Sequence, residues 1–268
     1  MECEYSLPVI TCDDHNLYVC RENTIVSSDV DEGKLGTVPF AVTRFSRRNN
    51  HYYFLDTSGR LWLDGKLLSE GIQDFNDYHF LGCTGHLWTL EGVLNPLTFP
   101  VTRLIGDLLL DDTQTLYDRK GQYITSDVAE AHTDGNEIII IHQGSERVLE
   151  YVGDNSDKQS ALRQLLCVKG AIKAVISQGT LLLLLVDGSI VTAGANDNYE
   201  CGVDESPVLE PRRLSLPLPA LDFGFHKSIG WALLADHSIY VWGFNGDDCV
   251  FFLQWSKEYF ISPRMLPV

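Results

Sequence analysis

Apolar residues in this chain fall in short runs cut by compact polar clusters. Seven times an apolar run, a polar turn and a second apolar run follow one another. The first such unit is Val9-Ile10, Asp13-Asp14-His15, Leu17-Tyr18-Val19. The second is Tyr53-Phe54-Leu55, Asp56-Thr57-Ser58-Gly59, Leu61-Trp62-Leu63. The third is Phe80-Leu81, Cys83-Thr84-Gly85, Leu87-Trp88. The fourth is Leu108-Leu109-Leu110, Asp111-Asp112-Thr113, Leu116-Tyr117. The fifth is Ile138 to Ile141, Gln143-Gly144-Ser145, Val148-Leu149. The sixth and seventh are built on Asp187-Gly188-Ser189-Ile190 and Asp236-His237-Ser238-Ile239. Gly, Asn and Asp tolerate the positive φ of tight hairpins, so each unit predicts two antiparallel strands joined by a turn.

The leading runs, such as Leu181 to Val186 and Ile138 to Ile141, are continuously apolar. That pattern fits strands covered on both faces. A buried helix gives similar runs, but these are short and bounded by turns. Ser160 to Val168 is the best helical stretch, and it also reads as a linker between repeats. The second strands recur at a spacing of roughly forty residues, the size of one β-propeller blade. The expected fold is all-β: a seven-bladed β-propeller with degenerate repeats, forming a single domain over 1–268. The segment Ser262 to Val268 reads as the opening of another repeat, and the chain begins at Leu7-Pro8-Val9 with a hairpin already due. These ends predict closure by pairing of the N- and C-terminal segments, which removes exposed sheet edges.

The sixth and seventh units extend furthest. Residues 161 to 202 carry Leu162, Leu165, Ile172, Val175, Gly179, Asp187, Gly188, Ile190, Gly194, Asn196 and Gly202. Residues 207 to 246 carry Pro211, Leu214, Leu218, Leu221, Gly224, His226, Asp236, Ile239, Tyr240, Trp242, Gly243 and Asn245. In this spacing each segment resembles one repeat of the regulator of chromosome condensation family. The other five units match only in the hairpin core. Neither a Gly-His/Trp-Asp pair nor a Gly-Gly pair recurs per blade, as WD-type or kelch-type propellers would require. The resemblance implies a propeller, and it admits guanine-nucleotide exchange on a small GTPase as one activity.

Charge then narrows the partner. The chain has 268 residues, 37 acidic against 20 basic, for a net charge of -17. That field repels phosphate backbones and anionic lipid, so no nucleic acid is expected and a protein with a basic surface is the favoured partner. The longest apolar run is too short to insert in a membrane. The N-terminus lacks an apolar leader, and the seven cysteines are odd in number and scattered. Reduced, buried thiols in an intracellular, cytoplasmic or nuclear, protein are therefore expected. No nucleophile elbow, P-loop, dinucleotide fingerprint or His-Glu-x-x-His occurs, and the Asp pairs read as solvated turn carboxylates. No enzyme activity, metal or cofactor is expected.

Candidate contacts lie where the repeat breaks. Asn23 to Thr37 reads as a long acidic loop with Asp29, Asp31 and Glu32. Cys249 to Ile261 replaces the end of a repeat with an aromatic run holding Phe251, Trp255 and Tyr259; burial as an extra strand or plug is the other reading of those rings. Arg47 and Arg48, beside Arg44, form a local basic spot. Long loops and aromatic anchors are common contact elements. Gly194, Gly243, Asn196, Asn245, His226, Trp62, Trp88 and Trp242 are expected to be architectural. The function expected is an adaptor or scaffold subunit binding a protein through loops on one propeller face. Nucleotide exchange, and an effector that blocks another protein's active site, are the alternatives.

Overall fold

The computed structural model describes residues 8–12, 17–21, 24–27, 34–48, 51–76, 79–89, 97, 99–153, 162, 164–226, 228–244 and 259–266. The fold is all-β, a seven-bladed β-propeller: seven antiparallel sheets, each built from consecutive strands. The described residues group into two compact units, one up to Asp112 and the other from Thr113 on.

In the first unit, sheet one is β1–β4 (Val9–Cys12, Leu17–Arg21, Thr24–Ser27, Lys34–Thr37) and sheet two is β5–β8 (Val42–Arg48, His51–Asp56, Arg60–Leu63, Lys66–Glu70). Sheet three is β9–β11 (Ile72–Phe75, His79–Gly82, Leu87–Thr89). Sheet four opens here with β12 and β13 (Val101–Ile105, Leu108–Asp111) and ends in the second unit with β14 and β15 (Leu116–Tyr117, Tyr123–Thr125). The second unit continues with sheet five, β16–β18 (Val128–Thr133, Ile138–His142, Leu149–Val152). Sheet six is β19–β22 (Ala171–Ser177, Thr180–Leu185, Ile190–Gly194, Val208–Arg213). Sheet seven is β23–β26 (Ala220–His226, Ile229–Leu234, Ile239–Phe244, Tyr259–Leu266).

Two expectations change. The C-terminal strand β26 pairs with β25 inside sheet seven, and sheet one has four strands of its own. The described terminal strands thus belong to separate sheets and do not share one. The first sequence hairpin is also displaced: it forms β1 and β2, the first pair of its sheet. The other six form the second and third strands of theirs. Turn chemistry and apolar runs mark a hairpin but not its place among four strands.

The two units fill their interiors differently. Tyr18, Phe40, Phe45 and Phe54 pack in the first, with Trp62 stacked on Phe40 at 4.6 Å between centroids. The second is aliphatic around Leu181, Leu183, Ile139, Ile141 and Ala174. All six residues of β20 are buried, as the apolar run from Leu181 predicts, but Val186 at the end of that run is 71% exposed. Leu162 and Leu165 pack in the same core, and the Leu166 N–H donates to Leu162 O in a helical turn. Among the described residues of Ser160 to Val168, this turn fits the helical reading.

The second-to-third-strand turns also join one sheet to the next. The N–H of the first residue of the following sheet donates to the turn carbonyl: Ile72 to Gly59 at 2.9 Å, Val101 to Gly85 at 3.2 Å, Val128 to Gln114 at 3.0 Å, and Ala220 to Gly188 at 2.8 Å. The acceptor residue lies at positive φ in all four turns, +77° at Gly188 and +62° at Gln114. A Cβ on Gly188 would stand 2.5 Å from the Pro219 Cβ. Glycine is needed there both for the backbone angle and for the close approach.

Candidate functional site

The repeat residues that looked most like a motif are occupied in holding the scaffold. Asp187 Oδ1 accepts from the Ser189 N–H at 2.9 Å and its hydroxyl at 2.5 Å; Asp236 does the same for Ser238 at 3.0 and 2.6 Å. These hydroxyl and N–H bonds hold both carboxyls below the ordinary Asp range. Asn196 is buried and uses its whole amide. Its Nδ2 donates to Val203 O at 2.8 Å and Glu205 O at 2.6 Å, and its Oδ1 accepts the Cys201 N–H at 2.7 Å. Trp242 is fully buried, with Nε1 donating to Glu200 O at 2.7 Å. Trp62 Nε1 donates to Asp56 Oδ2 at 3.0 Å. Trp88 lies against Gly82, where a Cβ would come within 2.4 Å of its ring.

The predicted contact residues sit elsewhere. Asp29, Asp31, Glu32, Phe251 and Trp255 lie outside the described residues, as do Asn245 and the pairs Asp13-Asp14 and Asp247-Asp248. Arg47 and Arg48 belong to β5, and Tyr259 opens β26. Tyr259 and Ile261 are thus part of a fourth strand, which fits the strand reading for the end of the aromatic segment. The acidic segment is shorter than the sequence implies: β3 and β4 take up much of Asn23 to Thr37. The acidic and aromatic segments share one position in the topology, the connection from third to fourth strand, in sheets one and seven.

Some side-chain expectations need correction. Arg44 is not free to form a basic spot, because its guanidinium pairs with Asp74 and lies 5.7 Å from the centre of the Phe75 ring. Cys20 and Cys201 are buried, but Cys83 and Cys167 are exposed. Burial pushes the Cys201 thiol up to about 12, so it stays protonated. Asp111 is buried, unlike a solvated turn carboxylate.

The sequence reading missed a row of charges on the leading strands. In sheets two to seven the leading strand carries one extra residue at the same place. Such a bulge redirects the side chain that follows it. In all six strands that side chain is charged: Arg44, Asp74, Arg103, Glu130, Lys173 and Asp222. Apolar residues come next, and Phe45, Phe75, Leu104, Ala131, Ala174 and Phe223 are all buried. Lys173 Nζ meets Asp222 Oδ1 at 2.5 Å and Phe223 O at 2.8 Å, and lies 5.3 Å from the centre of the Phe223 ring. It repeats what Arg44 does with Asp74 and Phe75. His132, two residues past Glu130, accepts the Ile176 N–H on Nδ1 at 3.2 Å. Burial first, and then the Lys173 charge, hold it down to about 4, so it is neutral near pH 7.

Among the described residues, no group of three His, Cys, Asp or Glu side chains is placed to hold a metal ion, and no helix is long and apolar enough to cross a membrane.

No family model matches the sequence, and no curated protein matches it. Solved structures do. Yeast RCC1 (Prp20), in its structure with Kap60, is 13% identical at a TM-score of 0.54, over 97% of this chain and 74% of that one. Prp20p of Saccharomyces cerevisiae, described with its binding to Gsp1p and histones, gives 10% and 0.52 over 97% and 76%. The β-propeller domain of Cps50 (Swd1) from Myceliophteria thermophila gives 13% and 0.56 over 90% and 98%. The similar structures therefore include the resembled family and other propellers. At these identities the likeness shows the β-propeller fold alone.

Proposed function

We propose that the chain is a protein-interaction scaffold, an adaptor subunit that binds a partner with a basic surface through its third-to-fourth-strand connections. One observation carries this reading: the preserved repeat residues are spent on scaffold bonds, while the departures from the repeat fall in those connections. Asn196 and Trp242 have no hydrogen-bonding group left for a partner. The net charge of -17 favours a basic partner and speeds encounter with it.

Charge reversal at Asp29, Asp31 and Glu32 tests this. The triple Lys variant should lose its partner in pull-downs at low salt while its Tm stays at the wild-type value. Unchanged capture would contradict the proposal. A second reading, nucleotide exchange on a small GTPase, draws on the fold likeness to Prp20p, whose structure is described with Gsp1p binding. Nucleotide-release assays against a GTPase panel test it, and no acceleration with any member would count against it.

A further inference from the structure

We propose that the leading-strand charges form an order code that makes each sheet pack against its proper neighbour. From sheet two to sheet seven the signs run plus, minus, plus, minus, plus, minus: Arg44, Asp74, Arg103, Glu130, Lys173, Asp222. Each occupies the same register position, immediately after the same bulge. In each unit a cation crosses to the acid of the following sheet: Arg44 to Asp74 in the first, Lys173 to Asp222 in the second. Sheet one lies outside the row, since Val9–Cys12 carries no charge and its register with β2 shows no shift.

Similar sheets in one chain can pack against the wrong neighbour, a recurrent failure of repeat proteins. Alternation acts against this. Leading strands two sheets apart carry the same sign, so packing that skips a sheet sets like charges together. Natural and designed proteins use such repulsion against unwanted pairings. The Lys173–Asp222 pair is partly exposed and adds little to stability, while Asp74 is largely buried beside a partly exposed Arg44. The row's effect belongs to the choice among compact arrangements.

The second unit gives the cleanest test, on the full chain. Lys173→Glu places a second carboxylate beside Asp222, and Asp222→Lys a second ammonium beside Lys173. Each should lower Tm by about 2–4 °C and cut the yield of native monomer after refolding from urea several-fold. The double exchange restores opposite signs within the pair but faces Glu130 with a like charge, so it should recover only part of the yield. Adding Glu130→Gln, which removes that like charge without setting a cation next to Arg103 in the row, should recover more of it. The neutral pair Lys173→Met with Asp222→Leu should keep the Tm and still refold in lower yield. A double exchange no better than either single change would overturn the proposal. So would wild-type yield from the neutral pair, or no gain from the third substitution.

Discussion

The β6–β7 and β20–β21 hairpins close the same turn, Gly59 N–H on Asp56 O and Gly188 N–H on Leu185 O, but their Asp residues stand at different corners, Asp56 at the first and Asp187 at the third, and differ in what rests on them. Asp187 stands 56% exposed and binds its own turn and Arg213. The Asp56 side chain is 1% exposed. Its Oδ1 accepts the N–H groups of Ser58 at 2.9 Å and Arg60 at 3.0 Å; its Oδ2 accepts Arg60 Nε at 2.7 Å and Trp62 Nε1 at 3.0 Å. The better-preserved repeat carries the more dispensable carboxylate. In the sixth sheet precision comes from glycine and close backbone approach. In the second an aromatic core and a buried acid supply it. A residue's weight therefore follows its burial and its bonds, and motif quality is a poor guide to it.

That contrast can be broken most forcefully at a glycine. A Cβ on Gly194 would lie 2.2 Å from Gly179 O, at a φ of +122°, and Gly243 has the same conflict with Ser228 O at 2.0 Å. Gly194→Ala should cost about 3 kcal/mol in urea unfolding, from strain and clash together. Next comes Asp56→Ala, which strands four partly buried donors and should cost about 2 kcal/mol. Asp187→Ala, by the same measurement, should leave the midpoint essentially unmoved. Equal losses at the two Asp positions would erase the distinction.

The pH dependence sharpens the comparison on a smaller scale. Burial opposes ionisation of Asp56, but its four hydrogen bonds outweigh it and hold the carboxyl below the ordinary range. Its contribution is therefore complete above the unfolded value of about 3.9 and lost as pH falls through the lower folded value. Asp56→Asn should flatten that acid limb in thermal melts. Asp74 has the opposite sign: burial holds it above the ordinary range despite Arg44 and the N–H groups of Phe75 and Leu104. Its contribution is present below the unfolded value and lost as pH rises through the folded one. Asp74→Asn should leave the acid limb in place and remove that fall.

Much of the scaffold was legible because hairpins declare themselves locally. Asp-Gly-Ser and Asp-Thr-Ser-Gly between apolar runs specify a turn whatever surrounds them. Which strands of a sheet a hairpin joins depends on distant partners, so the first unit was displaced by one strand. The charge row was also present in the letters: Val42-Thr43-Arg44, Ile72-Gln73-Asp74, Val101-Thr102-Arg103, Val128-Ala129-Glu130, Ala171-Ile172-Lys173 and Ala220-Leu221-Asp222. The extra bulge residue breaks the period-two alternation by which strands are read. Charge at that position then looks like ordinary surface polarity. The acidic and aromatic segments showed themselves only as departures from the repeat, which gives their place in the topology but not their contacts.

The measurement that bears most directly on the account is partner capture by wild-type protein beside two variants matched in Tm: Asp29, Asp31 and Glu32 all changed to Lys, and Asp187→Ala in the preserved turn. The account predicts that the first variant loses the partner and the second retains it at wild-type stoichiometry. Loss with Asp187→Ala and retention with the triple reversal would show that the repeat, and not its interruptions, makes the contact.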